Sequence, residues 1–197
     1  MGVHNLDTAF WALELGIPNH AKVIDADQGT VDCPPLWSII QMNYPARVNR
    51  PAVKLTFYDG KKLPPADLFY GEEIPSNGSL IIGSKGTLLT RSGHGGENED
   101  DMFLLLPEKT FIDYQTISPS VPRVKDHHFE WIQACKGLTK TEANFDYAAT
   151  LTEGLLVGQL ALRTGKSIAW DPQRMKAINC PEAESLIKPR FRKGWEI

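Results

Sequence analysis

Cysteine is scarce in this sequence, and so is charge of one sign. Three cysteines, Cys33, Cys135 and Cys180, are spread over 197 residues with no Cys-x-x-Cys spacing. An odd number so widely separated argues against a disulfide framework and against a structural zinc site. The formal net charge is only −3, which supplies no electrostatic footprint for nucleic acid or for an acidic membrane. The one basic cluster, Lys188 to Lys193, is answered by Glu182, Glu184 and Glu196 and reads as a solvated segment. No apolar run reaches bilayer-spanning length, and the start Met-Gly-Val-His lacks the basic and apolar regions of a signal peptide.

A phosphate cradle is also lacking. No strand signal runs into Gly-x-Gly-x-x-Gly. Gly93, Gly95 and Gly96 sit instead in a loop with Glu97, Glu99, Asp100 and Asp101, which would repel a pyrophosphate. There is no P-loop, no Ser/His/Asp elbow and no internal repeat.

What is present is ordinary globular composition, 42% hydrophobic and 23% charged, suiting one domain over residues 1–197. Residues 8–15 have high helix propensity, with Asp7 as N-cap, Gly16 as stop and Pro18 beyond. Strand signals follow at Lys22–Asp25, Trp37–Tyr44 and Val53–Tyr58; the last alternates Val53, Leu55, Phe57 with Lys54, Thr56, Tyr58. Residues 61–78 read as loop. Leu80–Ile82 and Thr87–Thr90 form a hairpin pattern around Gly83-Ser84-Lys85-Gly86. Ser92–Asp101 is a loop, Met102–Leu106 another apolar run, and 117–123 a linker. Two helices are predicted at 126–136 and 146–164, the first capped by Asp126 with Phe129, Trp131, Ile132 and Cys135 inward. The second is expected to be nearly all buried, with Gly154 and Gly158 permitting a close approach. A strand at 167–170 and a short helix at 181–188 close the chain. One helix, then strands, then helices predicts an α+β fold with a mainly antiparallel sheet backed by helices.

Chemistry is concentrated in few residues. His4 and Asp7 lie at i and i+3, on one side of a helical turn. A free imidazole titrates near pH 6.5, about right to take the proton of a substrate hydroxyl as hydride leaves the carbon. The plainer reading is that Asp7 caps the helix and His4 is a frayed terminal residue, and spacing alone favours it. His94 stands before the acidic run of its loop, where a cation is conceivable, but the alternating Asp pattern of a calcium loop is absent. His127 and His128 are adjacent, so they do not share a helix face as a metal pair would. Trp11, Trp37, Trp131, Trp170 and Trp195 read as core rather than as sugar platforms.

The segment from His127 to Gly137 (His-His-Phe-Glu-Trp-Ile-Gln-Ala-Cys-Lys-Gly) resembles the glucose–fructose oxidoreductase / inositol dehydrogenase (Gfo/Idh/MocA) family. So do Asn144-Phe145-Asp146-Tyr147-Ala148, Leu151-Thr152-Glu153, Ala161 to Lys166, Trp170-Asp171-Pro172 and Arg192 to Glu196. Pro35 to Ser38 and Val53 to Gly60 extend the resemblance over almost the whole chain. It implies the C-terminal, dihydrodipicolinate-reductase-like substrate domain of a two-domain protein, α+β with a large open, mainly antiparallel sheet backed by helices on one face, and with no Rossmann domain present here. The family's Asp-x-x-x-His signature is matched from its third position by Gly2 to His4, so the N-terminal cut is expected to fall inside that signature. The resemblance implies His4 as the catalytic acid/base and Asp7 as a substrate-side residue, with Arg91 and His94 as further substrate-binding candidates.

The implied reaction is hydride transfer between NAD or NADP and a sugar, polyol or derivative. The cofactor and the catalytic lysine would belong to the chain's own N-terminal Rossmann domain, so none is expected bound to these residues alone. The domain is expected to pair as a homo-oligomer through its free sheet face, with no nucleic-acid or membrane partner. The parent would be cytoplasmic, or periplasmic through twin-arginine export. The competing class is a non-catalytic sugar-binding or oligomerisation module using the open sheet face.

Overall fold

Val3, Leu6, Phe10 and Leu13 recur at helical spacing, and this stripe turns the first helix toward the core. In the computed structural model, which describes residues 2–30, 33–91, 103–114, 118, 120–121, 123–188 and 191–195, helix α1 spans Gly2–Ala12. It therefore begins well before residue 8. Asp7 is not its N-cap, and His4 is a helical residue rather than a frayed one. The helix buries Leu6, Ala9 and Phe10. It ends before Glu14 and Gly16, both of which take positive φ, 47° and 69°.

The strands divide between two sheets rather than joining in one large sheet. β1 (His20–Ala26), β2 (Ser38–Tyr44), β3 (Val53–Asp59), β7 (Ile168–Asp171) and β8 (Lys176–Ala177) form a five-stranded sheet in the order β3-β2-β1-β7-β8. β4 (Gly78–Ile82), β5 (Thr87–Arg91) and β6 (Phe103–Leu106) form a three-stranded sheet in that order. Among the described residues, every strand pairing is antiparallel. The expected α+β class, with a mostly antiparallel five-stranded sheet, a smaller sheet and helices, is what is found. β8 and the short 3-10 turn at Ala66–Phe69 were not expected. Both are too short to show a period, and Phe69 is held by a small separate core with Leu89 and Leu106.

The period of two sets which side of the larger sheet is dry. Ile40 faces Phe57, and Met42 faces Leu55 on one side and Ala21 on the other. Their inner surface meets helix α3 (Phe145–Thr164), which contributes Leu151, Val157, Leu160 and Ala161 to the same core. Gly158 brings α3 close: a Cβ there would lie 3.2 Å from both Ile40 Cγ2 and Met42 Sδ. The expected close approach at Gly154 and Gly158 is thus present, although Leu156 stays 58% exposed and α3 is not buried all round. Trp170, on the inner surface, donates its Nε1–H to Glu153 of α3 at 2.9 Å. The opposite surface is largely polar. Lys22 aligns with Gln41 and Thr56, and His20 with Asn43 and Lys54, and none of the six is buried.

Tyr44 is 1% exposed, and its hydroxyl finds no hydrogen-bond partner among the described residues. Burial pushes its phenol above the ordinary tyrosine value. Burial of this kind costs the fold nothing extra while the phenol is neutral, but stability falls as pH rises above its unfolded pKa of about 10, where the unfolded chain ionises and the folded one does not. Tyr44→Phe is expected to raise stability at neutral pH by about 1 kcal/mol, by removing an unsatisfied buried polar group. It should also flatten part of the loss above pH ~10. Urea titrations at the two pH values check both; a phenylalanine variant clearly weaker at pH 7 would sink the argument.

Helix α2 (His127–Cys135) is capped as expected, Asp126 accepting from Phe129 N–H at 2.7 Å. Its expected inward face is not buried, however. α2 contains no buried residue, Trp131 is 64% exposed, and Phe129, Ile132 and Cys135 are also exposed. The amphipathic pattern is real, but the apolar side is left exposed among the described residues. Of the tryptophans read as core, Trp170 is buried, whereas Trp11, Trp131 and Trp195 are exposed. The short helix α4 (Glu184–Ile187) follows a 3-10 turn at Pro181–Ala183.

Candidate functional site

With Val3, Leu6 and Phe10 turned to the core, the adjoining face of α1 is set by arithmetic. His4, Asp7 and Trp11, at i, i+3 and i+7, share it. His4 and Asp7 are exposed, and Trp11 is exposed with them. The sequence pair His4/Asp7 is therefore brought together on one accessible helical face.

Asp7 is held from a second helix. The Tyr147 hydroxyl donates to Asp7 Oδ1 at 2.5 Å. Tyr147 stands in the first turn of α3, where its own N–H donates to the N-cap Asn144 at 3.1 Å. Its ring meets Phe10 edge-on, with centroids 5.5 Å apart and planes at 79°. Partial burial, then the hydrogen bond to Asp7, then the Asp7 charge push the Tyr147 phenol above its ordinary value. It is a donor throughout the physiological range and not a base.

The smaller sheet closes on α1 from another side. Ser79 of β4 donates its hydroxyl to the Asn5 carbonyl of α1. Arg91 ends β5 opposite Gly78, the neighbour of Ser79, so its strand terminus is carried to the flank of α1. Gly78 permits this pairing: its φ is 155°, and a Cβ there would fall 2.2 Å from the Thr90 carbonyl oxygen. His94, the remaining substrate-side candidate, lies outside the described residues.

His127 and His128 sit on α2, with rings 4.0 Å apart and His128 Nδ1 4.0 Å from Asp126 Oδ1. They belong to the start of that helix and not to the α1 face. Among the described residues, no group of three or more His, Cys, Asp or Glu is arranged to hold a metal ion, and no helix is long and apolar enough to cross a membrane.

Tyr147 is the residue that sequence reasoning missed. Asn144 is a good N-cap, which would have placed Tyr147 in the first turn of α3. Nothing local, however, says that this turn abuts a helix 140 positions earlier in the chain.

The fold class is α+β, and the candidate site is an exposed His/Asp face on its first helix. No family model, no curated protein and no solved structure matches this chain.

Proposed function

We propose that this chain is the substrate-side domain of an NAD(P)-dependent oxidoreductase acting on a sugar, polyol or derivative. The observation that carries the reading is the α1 face. His4 and Asp7 stand one turn apart and accessible, with Asp7 fixed from α3 by Tyr147. Oxidising a secondary hydroxyl releases one proton and one hydride. His4 is assigned the proton, and Asp7 an adjoining hydroxyl of the substrate. Trp11 on the same face offers an apolar surface of the kind that packs against a sugar ring. When bound, the nicotinamide supplies the hydride acceptor. This sequence has no strand-to-helix glycine turn to grip it, so the cofactor is assigned to a separate nucleotide-binding half.

The uncovered apolar side of α2, with Trp131, Phe129 and Ile132, supports a partner half in contact with this chain. We assign self-association to the free face of the five-stranded sheet. That face is polar rather than apolar, so the contact would be built on hydrogen bonds across paired rows such as Lys22-Gln41-Thr56. A non-catalytic sugar-binding or oligomerisation module is the competing reading. It would need the polar sheet face but not His4.

The isolated chain is expected to show no measurable NAD(P) binding by calorimetry, and a mass above that of the monomer by light scattering. The protein joining it to a nucleotide-binding half is expected to reduce NAD(P)+ in the presence of a sugar or polyol. Micromolar NAD(P) affinity of the isolated chain would overturn the division of labour. A clean monomer at high concentration would overturn the self-association.

A further inference from the structure

We propose that Tyr147 is a positioning residue for the substrate, which holds one oxygen of the Asp7 carboxylate so that the other is the single acceptor offered to a substrate hydroxyl. This inference rests on the oxidoreductase reading above and concerns how that site selects its substrate.

A carboxylate has two oxygens and accepts from several directions. On an exposed helix face its side chain would ordinarily exchange among rotamers, and ordering it on binding would cost affinity. Tyr147 removes that freedom. Its hydroxyl takes Asp7 Oδ1 at 2.5 Å. Tyr147 itself is held at both ends, its N–H by the Asn144 side chain and its ring by the edge of Phe10. The phenol stays protonated, because burial and the Asp7 charge disfavour its ionised form, so the donor does not switch off as pH rises through neutrality.

A purely structural role for the bond is the weaker account. α1 and α3 are already joined through buried Leu6, Phe10 and Leu151 in one core. The Tyr147–Asp7 bond lies at the exposed rim of that contact, where a hydrogen bond contributes little to folding. Its geometric consequence is specific instead. Asp7 stands on the face that also presents His4, one turn away, and its second oxygen is the one assigned to the substrate. A substrate served by both must carry a second hydroxyl close to the carbon whose hydroxyl proton His4 removes. The site is thus built for a diol, and an analogue lacking that second hydroxyl would gain nothing from Tyr147.

The test uses the intact protein carrying this chain and its nucleotide-binding half, assayed with a panel of aldohexoses, pentoses and cyclitols. For each compound oxidised, the analogue lacking the hydroxyl next to the reacting carbon is assayed beside it. Tyr147→Phe keeps the ring and its contact with Phe10 while removing only the hydroxyl. It is expected to raise KM for the diol about tenfold with kcat almost unchanged, and to leave KM for the deoxy analogue as it was. In an Asp7→Asn background the same change should have no further effect, the signature of a coupled pair. The thermal midpoint of Tyr147→Phe is measured alongside to confirm an intact fold. If diol and deoxy analogue are affected alike, or neither is, Tyr147 has no positioning role while the oxidoreductase reading stands. If the wild type oxidises no compound in the panel, the oxidoreductase reading falls and the role of Tyr147 falls with it.

Discussion

If the proposed oxidoreductase reading holds, replacing His4 with alanine in the protein joined to its nucleotide-binding half is expected to lower kcat about 10²–10⁴-fold, the usual contribution of a positioned general acid/base. That corresponds to ~3–5 kcal/mol of transition-state stabilisation. The change is expected to cost the fold little, because His4 is exposed and the buried stripe of α1 is carried by Leu6, Ala9 and Phe10. Turnover and substrate affinity should separate. Proton removal is made in the transition state, so kcat and kcat/KM should fall together while KM moves little. Steady-state kinetics of His4→Ala beside the wild type decide it. A variant retaining near-wild-type kcat would remove His4 from the chemistry and leave the face of α1 as a binding surface only.

Gly158→Leu is expected to destabilise the chain by at least ~3 kcal/mol, near the upper end of what overpacking a core does. A bare Cβ at this position already reaches 3.2 Å from Ile40 Cγ2 and Met42 Sδ. Ile40 and Met42 are 2% and 1% exposed, with neighbouring strands on both sides, so they have little room to withdraw. Three further heavy atoms would lift α3 off the sheet. The gain in helix propensity over glycine, about 1 kcal/mol, does not offset that. Gly158→Ala separates the two effects: its small steric demand is set against the same propensity gain, and its stability should stay within ~1 kcal/mol of the wild type. Urea denaturation of both variants provides the comparison. If the leucine variant matched the wild type, α3 would not sit as tightly on β2 as the structure places it. The consequence reaches the site, since α3 also carries Tyr147 to Asp7.

Much of the fold was legible because its signals are local. The alternation in Val53–Asp59 fixed a strand, and the side facing the core followed from it. Asp126 and Gly137 bracketed α2, and Asn144 and Gly165 bracket α3, because capping depends on residues within a turn of the end. Gly154 and Gly158 announced a close approach without saying to what. The start of α1 was misread because a polar segment, His4-Asn5, separates Val3 from Leu6. With Asp7 taken as a cap, the stripe Val3-Leu6-Phe10-Leu13 was overlooked.

Other features have no local signature. The division of the strands into two sheets depends on which edges pair across long loops, and period-two alternation is the same in either arrangement. The apolar pattern of α2 reads as core, but burial is a relation to a neighbour, and none of its residues is buried among the described ones. The sequence by itself determined an α+β chain with a capped pair of late helices, and a His/Asp pair at one-turn spacing near its start. Only the tertiary structure decided that this pair lies on an exposed helical face, with Ser79 tying β4 to α1 and Tyr147 locking Asp7. Those contacts span 74 and 140 positions along the chain. Residues so far apart meet only when the hydrophobic core has fixed the helices and strands that carry them.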